Sequence, residues 1–62
     1  MRKVTDEHGQ VILEGDLNDI EILRSLKTNN IIQSEEEYLI EEYGPTMQVV
    51  TNGINEVAII HD

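Results

Sequence analysis

Apolar residues in this chain fall in short runs divided by turn-forming residues, and each run reads as one strand or one short helix. The segment 2–14, RKVTDEHGQVILE, predicts a β-hairpin, with Lys3 to Thr5 as one strand, a turn at Asp6-Glu7-His8-Gly9, and Gln10 to Leu13 as the other. With Glu7, His8 and Gly9 as a three-residue loop and Gly9 left-handed, Val4 should face Ile12 and Arg2 should face Glu14.

Gly15 breaks the strand, and Asp16 is placed as the N-cap of a helix over Leu17 to Thr28. Leu17, Ile20, Leu23 and Leu26 recur at threefold spacing and define its expected buried stripe. Ile22 falls off that stripe, so it either widens the buried face or touches something else. Asp16, Asp19 and Glu21 lie toward the start and Arg24 and Lys27 toward the end, as the helix macrodipole favours.

Ser34-Glu35-Glu36-Glu37 matches a capping box, and Gly44-Pro45 is a helix stop, so 34–43 is expected to be a short second helix. A strand through Tyr38-Leu39-Ile40 competes, but those residues are contiguous instead of alternating, and Pro45 fits poorly in a tight hairpin turn. Met47 to Ile60 reads as a hairpin about Asn52-Gly53. A three-residue loop, Thr51-Asn52-Gly53, puts Met47, Val49, Val57 and Ile59 on one face, whereas a two-residue turn would mix apolar and polar positions. The opposite face then carries Val50, Ile54, Ala58 and Ile60 beside Gln48 and Glu56, too apolar for an ordinary solvent face.

The expected fold is one α+β domain over residues 1–62: an N-terminal β-hairpin, one or two short helices, and a C-terminal β-hairpin forming a small antiparallel sheet. A chain this short buries only about 60% of its unfolded surface, and without cysteine it has no disulfide to supplement a small core. Self-association is the expected supplement, as a homodimer with Val50, Ile54, Ala58 and Ile60 at the self-interface.

Charge narrows the partners. Thirteen acidic residues against Arg2, Lys3, Arg24 and Lys27 give a formal charge of −9. Direct contact with nucleic acid is disfavoured, because that contact depends on lysine and arginine displacing counterions from phosphate, and anionic membranes are disfavoured likewise. No run approaches the roughly 20 apolar residues of a membrane span, and no apolar leader follows Met1, Arg2 and Lys3, so a cytoplasmic, water-soluble chain is expected. In element order alone, two helices and a hairpin resemble a winged helix-turn-helix. The would-be recognition helix 34–43 carries five glutamates and no lysine or arginine, which is wrong for DNA.

Catalytic chemistry finds little to work with. There is no cysteine, Ser25 lies inside the first helix and Ser34 is a cap, while His8 in a turn and His61 beside Asp62 form at most a weak metal pair. Asp16-x-Asn18 opens like a calcium loop but has Ile20 and Glu21 where a ligand and the glycine belong. No phosphate-binding glycine motif occurs, and no cofactor or metal site is expected. The sequence therefore points to a non-enzymatic protein-binding module, an adaptor or inhibitor of the kind phages and mobile elements encode, docking on a larger protein with a basic surface. Its expected contacts are Asp16, Asp19 and Glu21 on one helix and Glu35, Glu36, Glu41 and Glu42 on the other, with carboxylates about 5–6 Å apart at helical spacing. The alternative is a homo-oligomerising structural or regulatory module whose acidity only solubilises it.

Overall fold

A computed structural model describes residues 1–62. Five antiparallel strands form one sheet: β1 (Arg2–Asp6), β2 (Val11–Gly15), β3 (Leu39–Gly44), β4 (Met47–Thr51) and β5 (Glu56–His61), in the order β2-β1-β5-β4-β3. One helix, α1 (Asp19–Thr28), and a 3-10 turn (Glu35–Glu37) lie in the crossing from the β2 edge to the β3 edge. The small α+β fold with a hairpin at each end is as expected; its details differ in four places.

In the first hairpin, Gly9 takes φ +82°, and the Asp6 side chain accepts hydrogen bonds from the His8 and Gln10 amides, both at 2.9 Å. The loop is thus the expected one, but an extra residue, Ile12, bulges from β2. Val4 consequently lies opposite Leu13, Lys3 opposite Glu14, and Arg2 opposite Gly15, one residue away from the expected pairing.

The helix is capped by Asn18 and not by Asp16. Asn18 and Glu21 exchange reciprocal bonds of 2.8 and 2.9 Å, a full capping box that Asp16 cannot form, and Asp16 instead sits 3.6 Å from the terminal ammonium. Starting there, the helix buries Ile22 and Leu26, four residues apart, and leaves Ile20 63% exposed. The helix ends in a Schellman arrangement, with Asn30 left-handed at φ 61° and the Ile31 amide bonded to the Leu26 carbonyl at 2.9 Å.

Residues 34–43 are not a helix. Ser34 caps the Glu36 amide at 3.2 Å, one 3-10 turn follows, and the chain then extends into β3. Strand periodicity explains the choice: Tyr38 and Ile40 pack on the core while Leu39 between them points away, a burial that helical spacing could not give. Pro45 is accommodated because Pro45 and Thr46 make a turn without positive φ, and the extra residue Tyr43 absorbs its mismatch with the strand twist.

The last hairpin has a longer loop than expected. Asn52 accepts from the Ile54 and Asn55 amides at 2.9 and 2.8 Å, so Thr51 lies opposite Glu56 and Ile54 stands in the loop, 86% exposed. Met47, Val49 and Ile59 do share a face, but Val57 bulges out of that set and packs on the core. The face covered by α1 is the other one: Val4, Val50, Ala58 and Ile60 meet Ile22, Leu26 and Ile32 in a single cluster. Val50, Ala58 and Ile60, expected at a self-interface, are therefore buried within the chain beneath its own helix, and the sheet's uncovered face is the one carrying Met47, Val49 and Ile59.

Candidate protein-interaction surface

Arg2 settles where part of the acidity goes. Placed opposite side-chain-free Gly15, it turns to the helix-covered side of the sheet. Its Nη1 donates to Asp19 Oδ1 at 2.8 Å and to the Leu17 carbonyl at 3.1 Å, Nε to Asp62 Oδ1 at 2.9 Å, and Nη2 to Gln48 Oε1 at 2.6 Å. Gln48 Nε2 closes the ring by donating to Asp62 Oδ2 at 2.8 Å. The start of α1, the end of β5 and the middle of β4 are thus held by one guanidinium, whose planar fork suits several acceptors at once. The Asp19 bond leads in raising the Arg2 pKa further, and the Gln48 bond, followed by that of Arg2, lowers that of Asp62.

The seven carboxylates expected to meet a partner do not form the two-helix surface that helical spacing implied. Asp19 is committed to Arg2, Glu21 to the helix cap, and Asp16 to the terminal ammonium. Glu35 and Glu36 lie in the 3-10 turn, with Glu35 at 3.9 Å from Arg24. Glu41 and Glu42 are on β3, an edge strand, and they point to opposite faces: Glu41 lies opposite Val49 on the open face, Glu42 opposite Gln48 on the helix side. The structure thus carries Glu35, Glu36, Glu41 and Glu42 on the segment that runs from the 3-10 turn through edge strand β3, while the other three, though exposed, have partners within the chain.

The open face was not singled out in the sequence. Following the register across all five strands, one row reads Val11, Thr5, Ile59, Val49 and Glu41, and the next Glu14, Lys3, His61, Met47 and Gly44. No helix covers it, yet Val49 is only 2% exposed. Its cover is local: the Tyr43 hydroxyl, from β3, donates to Glu56 Oε2 on β5, so the phenol and the carboxylate form a bridge over β4 above Val49. The Glu56 hydrogen bond raises the Tyr43 pKa, with the nearby charges of Glu56 and Glu41 adding to it. Val11, Leu39 and Tyr43 remain more than half exposed. The signal for this face was the parity of Met47, Val49 and Ile59; what hid it was the expectation that the opposite face, with Val50, Ala58 and Ile60, would be the one left for a second copy.

At the β1 and β2 end of the same face, Lys3, Thr5, Glu14 and His61 line an open depression of about 530 Å³. His61 Nε2 lies 3.3 Å from Thr5 Oγ1, its one side-chain partner, so no third group orients the imidazole as a catalytic base requires. His8 and His61 are not brought together, and no cluster of histidines and carboxylates has the arrangement of a metal site. No helix is long and apolar enough to cross a membrane. Compared with known proteins, the chain matches no family model, no curated protein and no solved structure.

Proposed function

We infer that this chain is a small, non-enzymatic protein-binding module, an adaptor or inhibitor that docks on the basic surface of a larger protein. It works in the cytoplasm, as a cysteine-free composition favours. The observation that carries this reading is the margin of the sheet at β3, where exposed apolar side chains, Leu39 and Tyr43, alternate with Glu41 and adjoin Glu42 and the carboxylates of the 3-10 turn. Interface cores combine apolar and aromatic contact with a polar rim, and a rim of one sign selects a partner of the other and speeds its arrival. Against catalysis stand the isolated Thr5–His61 contact and the absence of an enclosed cleft around any carboxylate pair.

The experiment is affinity purification of partners with the parent chain and with the Glu41→Lys/Glu42→Lys variant, followed by reconstitution with the purified partner. A defined stoichiometric complex that weakens with salt and is lost in the variant supports the reading. A partner that binds both forms equally, or no partner that reconstitutes, overturns it.

The homo-oligomeric reading keeps one supporting observation, the partly exposed Val11, Met47 and Ile59 on the uncovered sheet face. Light scattering over a concentration series separates the two: a salt-insensitive dimer disrupted by Ile59→Glu favours self-association through that face, and a monomer throughout removes it.

A further inference from the structure

We propose that the free edge of β3 is a strand-addition site for an extended, basic segment of the partner, recognised by main-chain pairing and by the alternation of Leu39, Glu41 and Tyr43. The proposal rests on the reading of the chain as a module for basic-surfaced proteins and names the surface through which it works. β3 pairs with β4 alone, and no other backbone or side-chain hydrogen bond reaches the main chain of residues 39–44. Its outward N–H and C=O groups are therefore available to another strand, the geometry that strand-adding recognition domains use.

The side chains then specify what pairs there. Across an added strand, directly opposed residues have Cβ atoms about 4.5–5.5 Å apart, close enough for opposite charges to attract and like charges to repel. Glu41 and Glu42 project to opposite faces, so a partner strand with consecutive lysine or arginine residues places one basic group on each side of the edge. Leu39, 65% exposed, and Tyr43, 57% exposed, flank Glu41 on the open face and call for apolar residues at the matching positions. Read antiparallel to β3, the partner pattern is apolar, basic, basic, any residue, apolar.

The occupant is not a second copy. β3 against β3 opposes glutamates to glutamates, and β2, the other edge, is Val-Ile-Leu-Glu-Gly, without a basic residue. The four basic residues lie elsewhere: Arg2 is consumed in its ring of acceptors, Lys3 is on central β1, and Arg24 and Lys27 are on α1. Pairing β2 of one copy with β3 of the next would also be head-to-tail, which grows open arrays instead of closing. No edge of this chain supplies the complementary charge, so the strand comes from a different protein.

The test titrates the isotope-labelled chain with the blocked peptide Thr-Val-Lys-Arg-Thr-Val-Thr at low salt and follows amide shifts and hydrogen exchange. Expected are shifts and new exchange protection at Leu39–Tyr43. Affinity should fall about tenfold or more when the peptide backbone is N-methylated at alternate residues, and similarly in Glu41→Lys/Glu42→Lys, but little in Glu35→Lys/Glu36→Lys. Equal binding of the N-methylated peptide overturns strand addition. Shifts confined to α1, the 3-10 turn or the open face overturn the β3 site while leaving the basic-partner reading in place. No shifts at all also overturn the site, and the fate of the wider reading is then decided by the reconstituted complex.

Discussion

Tyr43 donates its hydroxyl hydrogen to Glu56 across the intervening strand, and the pair shields Val49 on a sheet face that no helix covers. A tyrosine at a bulge is well placed for this, because the extra residue in β3 re-aims the side chain inward over β4. The bond holds the phenol in its neutral form beside a carboxylate, which is why Tyr43 ionises above the ordinary value of 10.0. In a Tyr38→Phe background, absorbance titration should show Tyr43 ionising late, and Glu56→Gln should bring it back toward the ordinary range. By linkage, the contribution of Tyr43 to stability is present below its unfolded pKa and disappears as pH rises through the raised folded value. If Glu56→Gln leaves the Tyr43 titration unmoved, the bridge does not persist in solution.

Removing Arg2 should be costlier than removing any other basic residue. Its side chain is only 20% exposed and satisfies Asp19, Asp62, Gln48 and the Leu17 carbonyl together. Arg2→Met leaves those acceptors with water or nothing, an expected loss of about 2 kcal/mol, or roughly 10 °C in Tm for a domain this small. Arg2→Lys should recover little of it, since an ammonium cannot reproduce the planar fork. Lys27→Met, at the solvent-exposed end of α1, should change Tm by far less; equal losses from the two variants would mean the ring of bonds adds nothing.

Asp62 gives that ring a pH signature. The Gln48 hydrogen bond and then that of Arg2 hold its carboxyl below 3.8, so its folded pKa is depressed. A depressed carboxylate stabilises the fold above the unfolded pKa and loses that contribution as pH falls through the folded value. The stability advantage of the parent chain over Asp62→Asn should therefore be constant from neutral pH down to about 4 and shrink below it. An advantage independent of pH down to the acid limit would place the effect in packing instead of charge.

The helix register is tested by a pair of isoleucines. Ile22 is fully buried and Ile20 is 63% exposed, although the threefold stripe favoured Ile20. Ile22→Ala should cost about 3 kcal/mol, most of what so small a core provides, while Ile20→Ala should stay within about 0.5 kcal/mol. Urea unfolding of the two variants decides between them, and the reverse ranking would put Ile20, in place of Ile22, beside Leu17, Leu23 and Leu26 at the core.

That reversal also shows where sequence reading stopped. Leu17, Leu23 and Leu26 of the expected stripe do pack on the core; only Ile20 and Ile22 trade places, and two isoleucines cannot be ranked by composition. Asn18 with Glu21 was a visible capping box, but Asp16 drew attention by following Gly15 directly. The turns at Gly9 and Gly53 and the shared parity of Met47, Val49 and Ile59 were legible because glycine conformation and strand alternation are local. The bulges at Ile12, Tyr43 and Val57 were not, since a bulge is a compromise between two strands and leaves no mark on one. β3 was misread because Ser34 does cap a turn; what ends that turn is the pairing of β3 with β4, a contact made later in the chain. The candidate site moved with it: Glu41 and Glu42, placed on a helix face by spacing, became neighbours on a sheet edge.

Salt should stabilise this protein. With a formal charge of −9 on 62 residues, and with Glu35, Glu36, Glu37, Glu41 and Glu42 crowded into one margin, repulsion among exposed carboxylates outweighs the few exposed ion pairs. Screening acts on exposed charges over about 10 Å at 0.1 M ionic strength, whereas the bonds of Arg2 are direct contacts of 2.8 and 2.9 Å, so added salt relieves the repulsion while weakening the Arg2 ring less. Raising sodium chloride from about 10 mM to about 0.5 M is expected to raise Tm by several degrees. Glu36→Gln, which removes one charge from the crowded margin without touching a hydrogen bond of its side chain, should raise Tm at low salt and converge on the parent at high salt. A Tm that falls with salt would show instead that the ion pairs dominate, and the acidic margin would then have no repulsion for a basic partner strand to relieve.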